Sequence, residues 1–436
     1  MNIRLIWAAA VLISPAGWAG AQTPTTSPAA AELHYVVIVS RHGVRSPTGK
    51  PDRMNMYSAQ PWPKWDVPPG YLTEHGGQLM TLFGTYDRAL LAQEGLLAAN
   101  GCADASRVSV YADSDQRTRE TGKALAAGMF PQCSVDLHAL PEGTPDPLFH
   151  PLEAGGNNLD KGWALAAVSG RIGGNPAGLT EAWRPQLEAM EDVLLGCPLG
   201  TPCTPSGAAP PASLFDIPAS IGEGKTDHLV DLRSPLGPAS TMAEDFLLEY
   251  TDGMDKEQVG WGRVDEKTLR ELLQIHTGEA DVMERTPFIA RAQASNLLSR
   301  IVQSMQQSVE GKPVTGALGK PDDRVLVLVG HDSNLASISG TLGLSWLIDG
   351  RRDDTPPGGA LVLELWKSRS SGEYFVRTFY TAQTLNQMRN STPLSLAAPP
   401  DRAPVFVPGC GRADGSCTWL SFRETLQTAT QHEVAE

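Results

Sequence analysis

The sequence predicts an α/β fold, a mainly parallel central sheet flanked by helices, with a smaller α-helical domain inserted. Three stretches carry that prediction. Leu33 to Ser40 (LHYVVIVS) and Arg324 to Gly330 (RVLVLVG) are nearly continuous in apolar, largely β-branched residues. That is the pattern of strands buried on both faces of a sheet rather than of strands with one wet face. Between them, from about Asp160 to Glu284, apolar residues recur mostly at helical spacing. A helical insertion between two halves of an α/β unit accommodates all three signals.

Residues 1–21 read as an export signal: Arg4, an apolar run from Leu5 to Ile13, and Ala19-Gly20-Ala21 before Gln22. The run is too short to span a bilayer. Gln22 to Ala31 is a Pro/Thr/Ala leader. After the first strand, Pro47 to Pro69 reads as a surface excursion, and Tyr71-Leu72-Thr73 leads into a helix with Leu79, Leu82, Phe83, Tyr86 and Leu90 on one face. Arg107 to Asp113 alternates as a second strand, and Ser114 or Asp115 can cap the next helix, whose first turn carries Arg117 and Arg119. Gly143 to Gly156 is turn-rich and marks a boundary. In the insertion, Trp183, Leu187, Met190 and Leu194 share a face, as do Leu269, Leu272, Leu273 and His276, with a further helix near Met242 to Tyr250. Phe288 to Val309 is an amphipathic helix. His331-Asp332 follows the buried run ending at Gly330 and opens a helix of small residues. Ala360 to Trp366 and Tyr374 to Tyr380 read as a closing hairpin or adjacent strands, and Pro393 to Pro404 is Pro/Ala-rich. The expected division is a signal at 1–21, a first α/β part at 22–150, the helical insert at 151–287 and a second α/β part at 288–436.

The 436-residue chain is 41% hydrophobic and 19% charged, an ordinary globular balance, with a net charge of −14 that becomes one unit more negative once Arg4 is removed. Such a surface argues against nucleic acid or an anionic membrane as partner, and a phosphorylated ligand needs a local positive site. The six cysteines fall as neighbouring pairs, Cys102/Cys133, Cys197/Cys203 and Cys410/Cys417. With an export signal, disulfides are expected, and neighbour pairing is the simplest of the connectivities open to them. None of these pairs has the short spacing of a zinc site.

Three predicted strands end in charged residues: Arg41-His42-Gly43-Val44-Arg45-Ser46-Pro47, then Arg117, then His331-Asp332. Ligands of α/β folds bind outside the carboxyl ends of the strands. The helices after Asp115 and Asp332 would aim their N-termini at the same crevice, which favours anions. An imidazole between two guanidiniums is held neutral by like-charge repulsion and is then a nucleophile beside a bound phosphate.

Arg-His-Gly-x-Arg-x-Pro with a distant His-Asp resembles the histidine acid phosphatases, the larger branch of the histidine phosphatase superfamily. Its five fixed positions arise by chance in about one in 10⁴ chains of this length. Further similarities are Leu72-Thr73 with Gly76-Gly77, Asp115-Gln116-Arg117-Thr118-Arg119, Trp261-Gly262-Arg263, Arg285-Thr286-Pro287 and Thr355-Pro356-Pro357-Gly358-Gly359. Within the family the chain looks most like the bacterial periplasmic phytases, then the glucose-1-phosphatases.

The resemblance implies a phosphohistidine at His42, phosphate binding by Arg41, Arg45, Arg117 and His331, and a proton for the leaving alcohol from Asp332. It implies substrate contacts at Glu244, Lys50 and Arg285. Gly49 separates Lys50 from the Pro-Thr it follows directly in the family, and Glu244 also reads as an exposed helix carboxylate. Ser333 after the aspartate is glucose-1-phosphatase-like, whereas Thr355 to Gly359 is phytase-like. The expected substrate is therefore phytate, with glucose 1-phosphate or broad phosphomonoesters as alternatives. Other classes are a phosphoglycerate-mutase-like phosphotransferase, a metal-dependent His-Asp phosphohydrolase and a non-catalytic phosphate binder. No metal or cofactor is expected, and the chain is expected to work outside the cytoplasm, in the periplasm or secreted, as a monomer on a small phosphorylated substrate.

Overall fold

Alternation along the first strand sorts its side chains onto two cores. β1 (Ala31–Arg41) sends Tyr35, Val37 and Val39 to one face and Val36 and Ile38 to the other; a bulge between Leu33 and Tyr35 puts Leu33 with the second set. The computed structural model describes residues 30–49, 51–155, 159–196, 211–225 and 228–430. The expected export signal, Lys50, Cys197 and Cys203 lie outside the described residues. The other strands of the main sheet are β2 (Val108–Ala112), β3 (Asp136–His138), β4 (Val325–Gly330), β5 (Ala360–Ser368), β6 (Tyr374–Ala382), β7 (Asp401–Pro404) and β8 (Cys417–Thr418). Their order is β7-β6-β5-β1-β4-β2-β3, with β8 also pairing β6. The β1, β4, β2 and β3 strands are parallel, and β5 to β8 form an antiparallel half.

The longer helices are α1 (Glu74–Gln93), α2 (Gln116–Met129), α3 (Lys161–Arg171), α4 (Arg184–Leu195), α5 (Leu236–Thr251), α6 (Glu266–Met283), α7 (Pro287–Glu310), α8 (Asp332–Leu342) and α9 (Trp419–Thr430). One face of the sheet is covered by Met80, Phe83 and Tyr86 of α1 with Leu125 and Met129 of α2. The other is covered by Leu298, Ile301 and Met305 of α7, Leu335 and Ile338 of α8, and Phe422 of α9. Burial on both faces is why β1 and β4 read as unbroken apolar runs. The helices α4, α5 and α6 pack on each other through Leu187, Met190, Phe246, Leu269 and Leu272, and that core reaches Val44 and Leu79 of the α/β part.

Three readings change. The insertion is not wholly helical: Ser220–Glu223 and Val230–Arg233 form a two-stranded antiparallel ribbon, too short for its period to show. Asp401–Pro404, at the end of the stretch read only as Pro/Ala-rich, is an edge strand, where a proline costs no ladder bond. The excursion from Pro47 to Pro69 is not free surface, because Trp62 stacks on Phe246 at 4.9 Å and meets Trp261 edge-on at 5.0 Å. Cys102 is bonded to Cys133 and Cys410 to Cys417, as neighbour pairing predicts. Among the described residues no helix is long and apolar enough to cross a membrane.

Candidate active site

Parallel register brings the ends of three strands level. Arg41 pairs with Gly330, and Ser40 and Ala112 both lie opposite Val329. Beyond these ends sit the Arg41–Pro47 loop, the first turn of α2 and the N-terminus of α8. The backbone of His42 is pinned on both sides: its N–H donates to Gly330 O at 2.9 Å and its carbonyl accepts from Gly358 N at 2.9 Å. Gly358 has φ +72°, a conformation that favours glycine, and a Cβ there would meet Met80 Sδ at 2.7 Å. Thr355 O accepts from Arg41 Nη1 at 2.7 Å. The Thr355–Gly359 stretch is thus the bracket that holds Arg41 and His42.

His42 is 2% exposed. Its Nδ1 lies 2.8 Å from Gly43 O; a carbonyl only accepts, so the proton is on Nδ1 and Nε2 keeps its lone pair. Burial, then Arg41, Arg45, Arg117 and His331, hold its pKa well below that of ordinary histidine. Arg41 is fully buried, with Nη2 on Glu244 Oε1 and 3.0 Å from Asp332 Oδ2. Arg45 Nη2 reaches the same Glu244 oxygen at 3.0 Å. Glu244 is therefore not an exposed helix carboxylate: its side chain is 12% exposed and bridges two of the arginines. Arg117 pairs with Asp115 at 2.6 Å and lies 3.4 Å from His331 Nδ1. The Nε groups of Arg41, Arg45 and Arg117 are all buried without an acceptor among the described residues. Such donors are costly unless an oxygen-rich anion meets them.

His331 caps α8, with its backbone N–H donating to Asn334 Oδ1 at 2.9 Å. Its Nε2 donates to Asp113 Oδ2 at 2.7 Å, which leaves Nδ1 facing Arg117. Burial favours a protonated Asp113, but hydrogen bonds from His150 and His331 outweigh it and hold the carboxyl well below the usual range. Asp332 accepts from Ser333 N at 2.9 Å through Oδ1, and its Oδ2 lies 3.8 Å from His276 Nε2. Its side chain is 26% exposed, so a ligand can reach it.

Of the residues read from the sequence, Arg41, His42, Arg45, Arg117, Glu244, His331 and Asp332 come together. Arg285 is engaged with Leu344 O at 2.9 Å, Asp353 at 3.2 Å and Asp281 at 3.6 Å. The sequence reading missed Asp113, His150 and His276. His276 sat on a leucine stripe that reads as core, and nothing near His150 in sequence marks it. Asp113, His150 and His331 each place a ligand atom within 4.8 Å of the others. Both imidazole N–H groups there are committed to Asp113, and the Arg117 guanidinium adjoins His331, a setting that disfavours a cation.

A guanidinium-lined crevice at the ends of parallel strands, with an imidazole held neutral inside it, is the architecture of a histidine phosphatase. Residues 32–170 and 243–381 match the model for the histidine phosphatase superfamily, branch 2, and the chain belongs to that family. It is 37% identical over 403 residues to phytase AppA of Escherichia coli (strain K12), covering 91% of this chain and 92% of that one. It is 28% identical over 412 residues to a glucose-1-phosphatase of Providencia rettgeri, covering 92% of each. The phytase of Hafnia alvei, solved in complex with myo-inositol hexakis sulphate, superposes with a TM-score of 0.83 at 36% identity, over 93% of this chain and 98% of that one.

Proposed function

We propose that this histidine acid phosphatase works outside the cytoplasm, in the periplasm or secreted, as a monomer. On this reading it hydrolyses phosphomonoesters through a phosphohistidine at His42, with phytate, myo-inositol hexakisphosphate, as its substrate. The observation that carries the reading is the state of His42: buried, neutral, with a free Nε2 lone pair, among three arginines whose Nε donors lack acceptors among the described residues.

Arg41, Arg45, Arg117 and His331 hold the phosphoryl oxygens and follow them into the transition state. The Nε2 lone pair forms an N–P bond as the ester P–O bond breaks, and the departing oxygen takes a proton from the Asp332 carboxyl. Water then attacks phosphorus, Asp332 takes its proton, the N–P bond breaks and inorganic phosphate leaves. Charge is neutralised by guanidiniums and the alcohol by an acid, so no step requires a metal.

The helical part, taken as residues 151–287, faces this machinery and supplies the substrate wall. Phytate is favoured by the 37% identity to a phytase and by a close structural neighbour that holds an inositol hexakis sulphate. Glucose 1-phosphate is the second reading, favoured by Ser333 after Asp332 and by the glucose-1-phosphatase relatives. Quenching in alkaline denaturant, where an N–P bond survives, during turnover of labelled substrate is expected to trap a phosphohistidine that is lost on acid treatment and that His42→Ala lacks, with activity intact after dialysis against a chelator. A label on aspartate, or activity lost on chelation, refutes the mechanism. Comparing kcat/KM for phytate, glucose 1-phosphate and p-nitrophenyl phosphate decides the substrate.

A further inference from the structure

Asp113 is 1% exposed, and a single one of its oxygens accepts from two imidazoles. Oδ2 lies 2.7 Å from His331 Nε2 and 3.1 Å from His150 Nε2, while Oδ1 meets no donor among the described residues. The two rings are 4.8 Å apart and tilted by 46°. His150 is held there through Asn334, in the first turn of the α8 helix that His331 caps. Asn334 accepts from His331 N at 2.9 Å through Oδ1 and donates to Phe149 O at 2.8 Å through Nδ2. The His150 N–H is in turn bound to Asp146 O at 2.7 Å.

We propose that His150 is a positioning residue for phosphoryl transfer, setting the proton on His331 through the Asp113 carboxylate that the two rings share. The proposal rests on the reading of His331 as a phosphate ligand.

One carboxylate carries one negative charge. While His150 is neutral, that charge supports an imidazolium at His331, whose Nδ1–H is then free to donate to a phosphoryl oxygen. Once His150 is cationic the charge is spent on it, His331 reverts to the neutral ring with an Nδ1 lone pair, and that nitrogen only accepts from Arg117, 3.4 Å away. The groups facing His150 are Asp113 and Asp115 after β2, His331 at the cap of α8, Glu153 on its own segment at 3.8 Å from Nδ1, His228 beside the ribbon, and Glu279 and Glu284 at the end of α6. His150, His228, Glu153, Glu279 and Glu284 line one cavity of about 340 Å³ that opens beside Ser333. Burial disfavours a charged His150, but the bond and charge of Asp113, with Glu153 and Asp115, outweigh it and raise its pKa. Burial lowers that of His331, and Arg117 and His150 push the same way against Asp113. The proton therefore goes to His150 first.

The test is an imidazole NMR titration of the phosphate-free protein. In the parent the rings are expected to titrate in coupled steps, His150 gaining its proton at higher pH than His331. In His150→Gln, whose amide nitrogen reaches about as far as Nε2 and so still donates to Asp113 but never charges, the His331 titration is expected to move up by about half to one pH unit. Inhibition by inorganic phosphate then strengthens about three- to tenfold near pH 6, with KM changing more than kcat. His150→Asn, which removes the bond as well as the charge, repeats the measurement, and the parent titration stands without either variant. The proposal is overturned if His331 takes its proton before His150 in the parent, or titrates at the same pH in the variants. It is also overturned if kcat and KM change together with no shift in their pH profiles. A parent without phosphatase activity removes the functional reading, while the ring titrations still decide the coupling.

Discussion

As the proposed acid, Asp332 faces two demands that pull its proton in opposite directions. In the ligand-free site burial favours the protonated acid, yet Arg41 at 3.0 Å, then His276, Arg45 and His331, hold the carboxyl well below the usual range. A phosphate group bound to the same arginines cancels their charge and adds a like charge beside the carboxylate, so the proton arrives with the substrate. Asp332→Asn is therefore expected to slow an alkyl phosphate by about 10²- to 10⁴-fold and p-nitrophenyl phosphate far less, because that leaving group departs without a proton. Equal slowing on both removes Asp332 as the acid. His42, as the proposed nucleophile, has the complementary problem of staying unprotonated in acid. Its folded pKa lies well below 6.5 through burial and then the charges of Arg41, Arg45, Arg117 and His331. Protonation destroys the lone pair, so kcat/KM falls only when pH drops through that lowered value. Arg45→Gln removes one repelling charge, raises the proton affinity of His42, and is expected to move the acid limb of kcat/KM to higher pH. An acid limb that stays in place in this variant shows that Arg45 does not help keep His42 neutral.

The N-terminus of α1 shows how closely an element must approach the Arg41–Pro47 loop. Thr73 caps it, accepting from Gly76 N at 2.9 Å, and a Cβ on Gly76 would fall well inside contact distance of the Val44 carbonyl oxygen. Gly77, one residue on, has only Leu72 Cδ2 at 3.9 Å from the same construction. Gly76→Ala is thus expected to push Val44 and its neighbours away from α1, costing about 1–3 kcal/mol and lowering Tm by several degrees together with kcat/KM. Gly77→Ala, which gains helix propensity without a clash, is expected to leave both unchanged or raise Tm slightly. Similar losses in the two variants would show that the close approach is not the reason for glycine. The same approach explains what the sequence disclosed. Long runs such as β1 and β4 announce themselves because both faces are buried, and residues just past their ends are legible because topology carries them to one crevice. The three residues of β3, the four-residue strands of the ribbon and the edge strand at Asp401–Pro404 are too short for any period. His150 and His276 were illegible for another reason: each enters the site through a contact more than 30 residues away in sequence, with Asp113 and Asp332 respectively.

Across the whole molecule, buried carboxyls set how stability depends on pH. Asp87 on α1 and Glu249 on α5 are buried, and burial pushes each up to about 8; Arg402 opposes the shift at Asp87, and the Gly260 N–H opposes it at Glu249. In the unfolded chain both titrate near 4. The folded state therefore binds more protons between those values, and stability must fall as pH rises towards 8. Below about 6.5 the buried histidines work the other way, since His42 and His331 stay neutral when folded and would charge when unfolded. The clean window is thus from about pH 6.5 to 8, where each carboxyl contributes on the order of 2 kcal/mol of lost stability. His150, raised above its ordinary value, acts in the same direction there. A parent Tm that falls by several degrees across this window is expected, with a distinctly flatter profile in the Asp87→Asn, Glu249→Gln double variant. A parent Tm independent of pH there, or a double variant as steep as the parent, means that these carboxyls are ionised in the folded protein.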